Sequence, residues 1–547
     1  MKSALSIILS VFVLSLWGQT TIPQSIDAIL SRAVATETGP GMTVGVVKDG
    51  QLIYHNSRGN MNLEYELPFN DSTKFDLASV TKQFTATCIG ILAKEELLSV
   101  KDDVRKYIPE LAFYGDTIRI KHLLNHTSGI RNHNVLLDLQ GFDFDHRSYT
   151  NSMIEGLMFR QRGVNNAPGE KMLYSNTNYV LLALVIERVS GSSIQEFAES
   201  EIFTPLKMTN TFYIRESESV IKNRAYPHYR SGSIYKQPKS LNPCVGAGGM
   251  ISTIADLAKW SLVFTDSDHR LSYLKDFITQ LDTLNDGEHM KHARGMFVSP
   301  YQGYNTFNHS GRGLGMRSQF ICVPDLNLSV IVFSNSEHLD AVDVSYQIID
   351  LYLEDTQGDE IEILPQRSSA PNLLQLVGSY QELNSDMRME ILVENDTLKA
   401  LSSFGQTPVP LVSLSETVFA RLDSDAVRYS FSNSTHAGAD LQVDFGGAIF
   451  YFENIELEEH PNQDLEDYVG EYYSTELEVT YSITMSDDQL MLSYPNNIGL
   501  ALREGVHDTF GANRRTKYTF NRNTEQEVIS FEVASEGTVK GILFERL

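Results

Sequence analysis

Two pairs of short apolar runs, each separated by a turn signal, mark strands in the first two thirds of the chain. Residues 43–47 and 51–54 flank an Asp-Gly dipeptide, which is a strong hairpin signal. Residues 320–323 and 328–333 flank a Pro-Asp dipeptide in the same way. We therefore predict a β-hairpin at each of these places.

Apolar residues recur near helical spacing in three longer stretches. Residues 76–98 form the first, with Asp76 or Ser79 available as its N-terminal cap. The other two are residues 178–189 and 254–264. These patterns predict three core helices, and the first helix carries Ser79 in its first turn.

The periodic pattern weakens over residues 355–371, where Asp, Glu, Gln, Pro and Ser accumulate. That composition is typical of a connection between domains. We therefore predict a leader, a large first domain, a linker and two β-rich domains, with boundaries at residues 1–19, 20–355, 356–371, 372–460 and 461–547.

The sequence after this linker repeats itself. Leu-Val-Gly-Ser-Tyr at residues 376–380 recurs as Tyr-Val-Gly-Glu-Tyr at residues 468–472, 92 positions later, and β-rich runs follow both copies at 389–393 and 479–485. Short strands with few helix signals predict a small barrel or sandwich in each copy. A coincidence over five positions is the alternative interpretation.

Composition agrees with a folded protein of several domains. The chain has 547 residues, 42% hydrophobic and 21% charged, and is too long for one typical core. Its formal net charge is −26. Because affinity for nucleic acids depends largely on Lys and Arg neutralising phosphates, no nucleic-acid partner is expected.

The N-terminus has the order of features found in a secretory signal peptide. Lys2 precedes an apolar run over residues 4–16, and a Trp-Gly-Gln exit follows. A membrane anchor is the alternative, but the run is shorter than the roughly 20 residues that a spanning helix needs. We expect cleavage near Thr20, a secreted or periplasmic protein and no stable membrane insertion.

No metal or organic cofactor is expected. Cys88, Cys244 and Cys322 are too few for a disulfide framework and fit no zinc pattern, so we predict buried thiols with room for one disulfide. His122 and His126 are four apart and could chelate a metal on a helix. No third ligand accompanies them in sequence, which favours a packing or capping role.

The candidate chemistry begins with the Ser79-Val80-Thr81-Lys82 motif. Three-residue spacing on a helix brings Ser79 and Lys82 to one face, where the lysine can activate the hydroxyl. A lysine acts as a base only where burial or positive neighbours keep it partly neutral, so burial of Lys82 is predicted. Spacing alone is not specific. The same spacing recurs at Ser219/Lys222, Ser233/Lys236 and Ser272/Lys275.

Two more motifs bring polar groups that can face a cleft. In Tyr174-Ser175-Asn176 a phenol and a carboxamide stand two residues apart, which on an extended segment places them on the same side. His309-Ser310-Gly311 lies just before the second predicted hairpin. Each pattern also occurs elsewhere, for example at Tyr494/Asn496 and His436-Ala437-Gly438. Order and context must therefore carry the assignment.

In its motif order the chain resembles the serine β-lactamase and penicillin-binding-protein superfamily, nearest to its class C, esterase and D-aminopeptidase branch. The resemblance spans roughly residues 25–350. It rests on five phrases in family order, at residues 75–82, 120–130, 168–179, 246–250 and 309–311. It implies an α/β (α+β) β-lactamase/transpeptidase-like catalytic domain, with an antiparallel sheet flanked by helices. Two small all-β domains of barrel or sandwich type, lipocalin-like, would follow.

The resemblance also implies catalytic roles. Ser79 would be the nucleophile, Lys82 its base or proton relay, and Tyr174 the group that protonates the leaving group and later activates water. The backbone N–H groups of Ser79 and Arg312 would form the oxyanion hole. One oxyanion donor is typically worth about 3 kcal/mol of transition-state stabilisation.

The substrate-binding residues implied by the resemblance lie on two segments. Asn176 would hold the acyl-side amide of the substrate, and His309, Ser310, Gly311 and Arg312 would line its other side. β-Lactamases have a permanently charged lysine where this chain has His309. Because histidine is mostly neutral near pH 7, this replacement argues against antibiotic hydrolysis. It favours a substrate that lacks the carboxylate which a lysine at this position would attract.

Three functional hypotheses follow. The leading one is a hydrolase of small D-amino-acid peptides, amides or esters, including cell-wall fragments, that acts through a Ser79 acyl-enzyme. A β-lactamase or D,D-carboxypeptidase is the second. The third is a binding protein that is acylated without turnover or binds peptidoglycan fragments through its repeats. The repeats themselves either restrict substrate size or only add stability or mediate oligomerisation, and residues 246–249 either form a cleft wall or a flexible loop.

Overall fold

The structure is a computed structural model that describes most of the chain. Its described ranges are residues 21–238, 242–354, 373–383, 387–403, 407–422, 424–431, 440–445, 449–455, 464–505, 508–512 and 515–547. The predicted leader at 1–19 and linker at 356–371 lie outside these ranges. Within them, no helix is both long and apolar enough to cross a membrane.

An antiparallel sheet forms the centre of the first domain. The strands of this domain are β1 Met42–Lys48, β2 Gln51–Arg58, β3 Asn60–Asn62, β4 Leu67–Pro68, β5 Phe75–Asp76, β6 Phe212–Tyr213, β7 Tyr229–Ser231, β8 Ile234–Lys236, β9 Met250–Ser252, β10 Phe297–Tyr301, β11 Tyr304–Gly313, β12 Met316–Val323 and β13 Leu328–Ser334. Six of them form the main sheet in the order β10-β11-β12-β13-β1-β2. Both predicted hairpins are confirmed, as β1–β2 and β12–β13.

Helices cover both faces of this sheet. They are α1 Ile22–Ala33, α2 Lys82–Lys94, α3 Ile120–Leu124, α4 His133–Leu139, α5 Asn151–Arg160, α6 Asn176–Ser190, α7 Ile194–Ala198, α8 Ile254–Thr265, α9 Lys275–Thr279 and α10 Ala341–Glu354. Helices α1 and α10 share one apolar cluster with the sheet, and the others pack in a larger cluster. The helices predicted over residues 178–189 and 254–264 are confirmed as α6 and α8.

The helix predicted to carry Ser79 begins later than expected. A 3₁₀ turn covers Ala78–Thr81, and α2 starts only at Lys82. The reason is a left-handed backbone at Ala78, with φ of 46°, which an α-helix cannot include. The Asp76 carboxylate accepts the backbone N–H of Ala78 at 2.8 Å and stabilises this turn. Ser79 therefore lies on a tight turn just before the helix.

Two all-β domains follow, as predicted. Eight strands form a closed barrel, which we call the first barrel: β14 Gly378–Glu382, β15 Arg388–Glu394, β16 Thr397–Ser402, β17 Val409–Ser413, β18 Val418–Arg421, β19 Ser424–Phe431, β20 Leu441–Phe445 and β21 Ile449–Ile455. Nine more form a strongly curved sheet, the second barrel: β22 Gly470–Ser474, β23 Val479–Ser486, β24 Gln489–Tyr494, β25 Asn497–Ala501, β26 Arg503–Glu504, β27 Thr509–Ala512, β28 Thr516–Arg522, β29 Val528–Ser535 and β30 Val539–Arg546.

The two barrels repeat a local hydrogen bond as well as a sequence. The phenol of Tyr380 donates to the carbonyl of Leu376 at 2.9 Å. Ninety-two positions later, Tyr472 donates to the carbonyl of Tyr468 at the same distance of 2.9 Å. The same contact at equivalent positions favours an internal repeat over coincidence.

The three cysteines are buried and free. The prediction of buried thiols is confirmed, and no disulfide joins any pair of Cys88, Cys244 and Cys322. Each thiol is surrounded by apolar side chains in the large core, where a cysteine behaves as a small hydrophobic residue.

Candidate active site

The Lys82 side chain is completely buried and touches Ser79. Its Nζ lies 3.0 Å from Ser79 Oγ, 2.8 Å from Asn176 Oδ1 and 2.9 Å from the carbonyl oxygen of Ala247. The amide oxygen and the carbonyl can only accept hydrogen bonds, whereas the serine hydroxyl can also donate. A neutral amine would therefore use its two N–H groups on Asn176 and Ala247 and turn its lone pair to Ser79.

Burial favours this neutral form. It holds the pKa of Lys82 well below its usual range. Among the described residues, no carboxylate forms a salt bridge with Lys82, so no negative charge offsets the cost of burying its cation. The prediction that Lys82 is buried is confirmed, and its environment is that of a base rather than of a structural cation.

Tyr174 lies on the other side of the lysine. Its ring centre is 5.0 Å from Lys82 Nζ. Burial raises the pKa of the Tyr174 phenol, and a hydrogen bond with Ser79 partly opposes that shift. The phenol consequently keeps its proton near neutral pH and lies beside the Ser79 hydroxyl.

Asn176 is held at the start of α6. Its Oδ1 accepts from Lys82, and its Nδ2 donates to Asn134 Oδ1 at 2.8 Å. Asn134 comes from α4, next to the loop at residues 125–132. The hydroxyl of Thr177 donates to the carbonyl of Arg131 at 2.8 Å, which ties the start of α6 to that loop. Asn176 is thus positioned from two directions.

Strand β11 runs alongside the Ser79 turn. A Cβ at Gly311 would stand 2.3 Å from the Leu77 carbonyl oxygen and 2.0 Å from Ser318 Oγ, so only glycine lets the strand lie this close. Ser310 and Arg312 flank this glycine and are exposed. The contact brings the backbone of Arg312 to the side of the Ser79 turn, as an oxyanion hole built from both segments would require.

His309, which the resemblance implied as a substrate contact, is buried behind the site. Its side chain is buried, and its Nδ1 donates to the carbonyl of Ser310 at 2.6 Å. Its ring packs against Tyr174 and Phe297, with centre distances of 6.2 and 5.5 Å. Burial holds the pKa of His309 well below its usual range, and a proton on Lys82 would lower it further. The residue therefore adds no positive charge to the site.

Two further histidines, neither of them predicted from the sequence to lie there, stand behind Tyr174. The ring of His126 stacks on that of Tyr174, with centres 4.2 Å apart. His292 packs between His126 and His309. His126 belongs to a motif phrase that could have raised its rank, whereas His292 lies in no motif.

The remaining sequence hypotheses are also placed. His122 accepts the backbone N–H of Arg119 at 3.2 Å and so caps α3, as favoured. Residues 246–249 wall the site, since the carbonyl of Gly246 accepts from Thr85 and that of Ala247 from Lys82. In the described residues, no three His, Cys, Asp or Glu side chains are grouped to hold a metal ion.

Comparison with known proteins identifies the family and relatives of this chain. The family model described as Beta-lactamase matches residues 26–353. Penicillin-binding protein 4* of Bacillus subtilis (strain 168) is 30% identical over 319 residues, covering 54% of this chain and 68% of its own length. D-aminopeptidase of Gluconobacter oxydans (strain 621H) is 25% identical over 461 residues, covering 83% of both chains.

A solved structure shows the same fold over most of the chain. The octameric penicillin-binding protein homologue from Pyrococcus abyssi superposes with a TM-score of 0.54 at 22% identity, over 86% of this chain and 98% of that one. Fold and relatives together define a serine hydrolase of the β-lactamase fold. The chain belongs to the Beta-lactamase family.

Proposed function

We propose that the protein hydrolyses small D-amino-acid peptides, amides or esters through a covalent acyl-enzyme on Ser79. The observation that carries the proposal is the hydrogen-bond arrangement at Lys82, whose two carbonyl-type acceptors leave the lone pair of a neutral amine for the serine hydroxyl. The D-aminopeptidase relative, which matches 83% of this chain, supports the substrate class.

Acylation follows from these positions. Lys82 takes the proton of Ser79 as Oγ attacks the substrate carbonyl carbon, and the N–H groups of Ser79 and Arg312 receive the oxyanion. Tyr174 gives its proton to the leaving nitrogen or oxygen as the bond between that atom and the carbonyl carbon breaks. The proton on Lys82 then returns to the phenolate.

Deacylation reuses the same groups. Tyr174 and Lys82 remove a proton from water, which attacks the ester carbon, and the proton returns to Ser79 Oγ as the ester bond breaks. Asn176 holds the acyl-side amide throughout. The neutral His309 adds no charge at its own position, which favours substrates that carry no carboxylate beside that ring.

The test combines turnover with detection of the adduct. We expect hydrolysis of p-nitrophenyl esters or D-aminoacyl p-nitroanilides, with slower turnover of the L-aminoacyl anilides, and mass spectrometry should place the acyl group on Ser79. Ser79→Ala should abolish both. Ser272→Ala is the matched control, because Ser272 has the same spacing to a lysine. Turnover that survives in Ser79→Ala would refute the assignment.

A penicillin-binding protein without turnover is the second candidate, favoured by the 30% identity to Penicillin-binding protein 4*. It predicts a single burst with an activated ester or nitrocefin, followed by a stable adduct. Steady nitrocefin hydrolysis would instead indicate a β-lactamase. Export is part of the proposal, and N-terminal sequencing of secreted or periplasmic protein should begin near Thr20.

A further inference from the structure

Three buried imidazoles surround the ring of Tyr174. His126, His292 and His309 are 0%, 1% and 2% exposed. His126 stacks on the phenol ring at 4.2 Å, and the centres of His292 and His309 both lie 6.2 Å from it. The proposed mechanism uses Tyr174 for proton transfer, so whatever fixes this ring affects the reaction.

The surroundings fix the tautomers of the two outer rings. Nδ1 of His126 accepts the backbone N–H of Ser175 at 3.2 Å and faces the amide nitrogen of Asn178 at 3.1 Å. Its proton must therefore be on Nε2. Nδ1 of His309 faces a carbonyl at 2.6 Å and must carry the proton, which leaves Nε2 as an acceptor. The pair thus presents one donor and one acceptor.

His292 stands between these two rings. Its centre is 4.7 Å from that of His126 and 6.0 Å from that of His309. Both its nitrogens, together with Nε2 of His126 and of His309, are buried without a hydrogen-bond partner among the described residues. A neutral imidazole has one donor and one acceptor, so His292 complements both neighbours at once.

The spacing is close to that of a hydrogen-bonded chain. Two imidazoles joined by an N–H···N bond have ring centres about 5 Å apart. The His126–His292 distance of 4.7 Å is already this short, and His309 lies about an ångström farther from His292 than such a bond requires. Buried polar atoms in native proteins are nearly always paired, and four unpaired nitrogens in one cluster are a strong reason for such an adjustment.

The charges near the cluster favour neutral rings. Burial lowers the pKa of His292 to about 3, and the nearby Ala293 backbone opposes part of that shift. Burial is the largest cause of the lowered pKa for all three rings, and a proton on Lys82 would repel a charge on any of them. On a neighbouring segment, Arg294 lies 4.0 Å from Asp282. Burial raises the pKa of Tyr179, and the charge of Arg294 opposes part of that increase.

We propose that His292 is a positioning residue for Tyr174: it accepts a hydrogen bond from His126 Nε2–H and donates one to His309 Nε2, so that the two linked rings hold the phenol beside Ser79. The role of Tyr174 rests on the proposed function, whereas the hydrogen-bond chain does not. His292 touches no reacting atom in this arrangement and acts through its neighbours.

The first test needs no activity. In full-length protein with ¹⁵N-labelled histidine, NMR at pH 7 should show neutral rings with the proton of His126 on Nε2 and that of His309 on Nδ1. His292→Phe should shift the resonances of both Nε2 atoms, because each loses its partner. Charged rings, the opposite tautomers or unshifted Nε2 resonances would overturn the proposal.

The second test separates hydrogen bonding from packing. With p-nitrophenyl acetate, His292→Phe should lower kcat about 10- to 100-fold, the size expected of a misplaced catalytic group, with KM within about twofold. His292→Gln, which keeps a donor and an acceptor, should recover much of kcat. Phe297→Leu is the matched control, since Phe297 packs on His292 and His309 without a polar atom, and it should stay near wild type.

The kinetic outcomes also decide the matter. Equal losses in His292→Phe, His292→Gln and Phe297→Leu would mean that packing alone matters and would overturn the proposal. If Ser79→Ala keeps its turnover, the proposed function fails, and the NMR result then decides the hydrogen-bond chain alone.

Discussion

The two barrels come from one repeat but differ in how they join the catalytic domain. The first barrel encloses its own apolar cluster, which includes Tyr380, Leu398 and Phe452. The second barrel has no separate cluster in its described residues. Its core side chains, such as Leu490 and Phe531, belong to the same cluster as the catalytic domain. The first barrel therefore has a core of its own, whereas the second barrel shares the core of the catalytic domain.

Polar contacts repeat this difference. Arg131, one residue beyond a motif phrase, is buried against the second barrel and pairs with Glu476 at 2.7 Å, with side chains 3% and 10% exposed. Its guanidinium also donates to the carbonyls of Lys540 and Gly541. The first barrel meets the second through Arg388, which donates to the carbonyl of Glu504 at 3.3 Å on the surface, and through the ring of Phe450, 5.2 Å from the guanidinium of Arg515.

The second barrel is connected to the proposed active site through hydrogen bonds. The same Arg131 whose side chain enters the second barrel offers its carbonyl to Thr177, next to Asn176. The backbone of Asn132 donates to Thr538 in the second barrel, and Asn134 in the following helix holds the Asn176 amide. We infer that the second barrel supports the position of Asn176, so damage to it should reach activity as well as stability.

The largest expected effect is at the buried ion pair. Glu476→Ala leaves Arg131 buried without its charge partner, which typically costs about 3–5 kcal/mol of folding free energy. We expect a corresponding loss in urea unfolding and a lower kcat, because the loop that holds Asn176 loses its support. The control is Glu394→Ala in the first barrel. Glu394 pairs with Lys399 on the surface, with side chains 52% and 24% exposed, and should cost less than about 1 kcal/mol. Equal effects of the two variants would contradict the comparison.

A matched pair of leucines tests the shared core. Leu398 and Leu490 occupy equivalent positions in the repeat and are both 1% exposed. Each change to alanine should cost about 2–5 kcal/mol where it acts. We expect Leu490→Ala to increase hydrogen exchange in the catalytic helices and reduce turnover, and Leu398→Ala to increase exchange only in the first barrel. Faster exchange of the catalytic helices in Leu398→Ala would show that the first barrel is integrated too.

The catalytic motifs were predictable because their meaning is local and ordered. Ser79 and Lys82 are three residues apart, and Tyr174 and Asn176 are two apart, so a turn and a helix start suffice to aim each pair. The delayed start of α2 was not predictable, since nothing in the letters requires a left-handed backbone at Ala78. Periodicity recognises a helix but not the strained turn before it.

Long-range partners lay beyond the reach of one sequence. Arg131 and Glu476 are 345 residues apart, and no sequence motif indicates that they form a pair. His292 lies in a segment without a helical or strand pattern, and only packing brings it to His126. The unequal roles of the two barrels were equally hidden, because both copies share the opening Val-Gly and Tyr positions and continue in β-rich runs.

Acid should open the catalytic domain before the first barrel. Burial lowers the pKa of His292 and of His133 to about 3 and that of His122 to about 4, against about 6.5 in an unfolded chain. The unfolded state therefore takes up protons first as the pH falls below 6.5, so stability present above that pH is lost progressively towards pH 3–4. Together the three rings should cost about 2 kcal/mol between pH 7 and 6.

Hydrogen exchange over this pH range would measure that loss. The three histidines with these lowered pKa values all belong to the catalytic domain. The second barrel should open together with the catalytic domain, because their cores are continuous, and the first barrel should keep its protection. If the second barrel instead followed the first, the shared core would not be a cooperative unit.

The smallest effect concerns a single hydroxyl at the barrel interface. Tyr481 donates to the carbonyl of Leu139 in α4 at 2.7 Å, whereas the equivalent position of the first barrel is the apolar Met389. Tyr481→Phe should cost about 0.5–1.5 kcal/mol, since it removes one buried hydrogen bond without changing the core volume. Tyr472→Phe is the control, because its hydrogen bond stays within the second barrel. We expect similar losses in urea unfolding but faster exchange at residues 133–139 only for Tyr481→Phe. That asymmetry would locate the coupling at the interface itself, because both variants remove one hydroxyl from the same core.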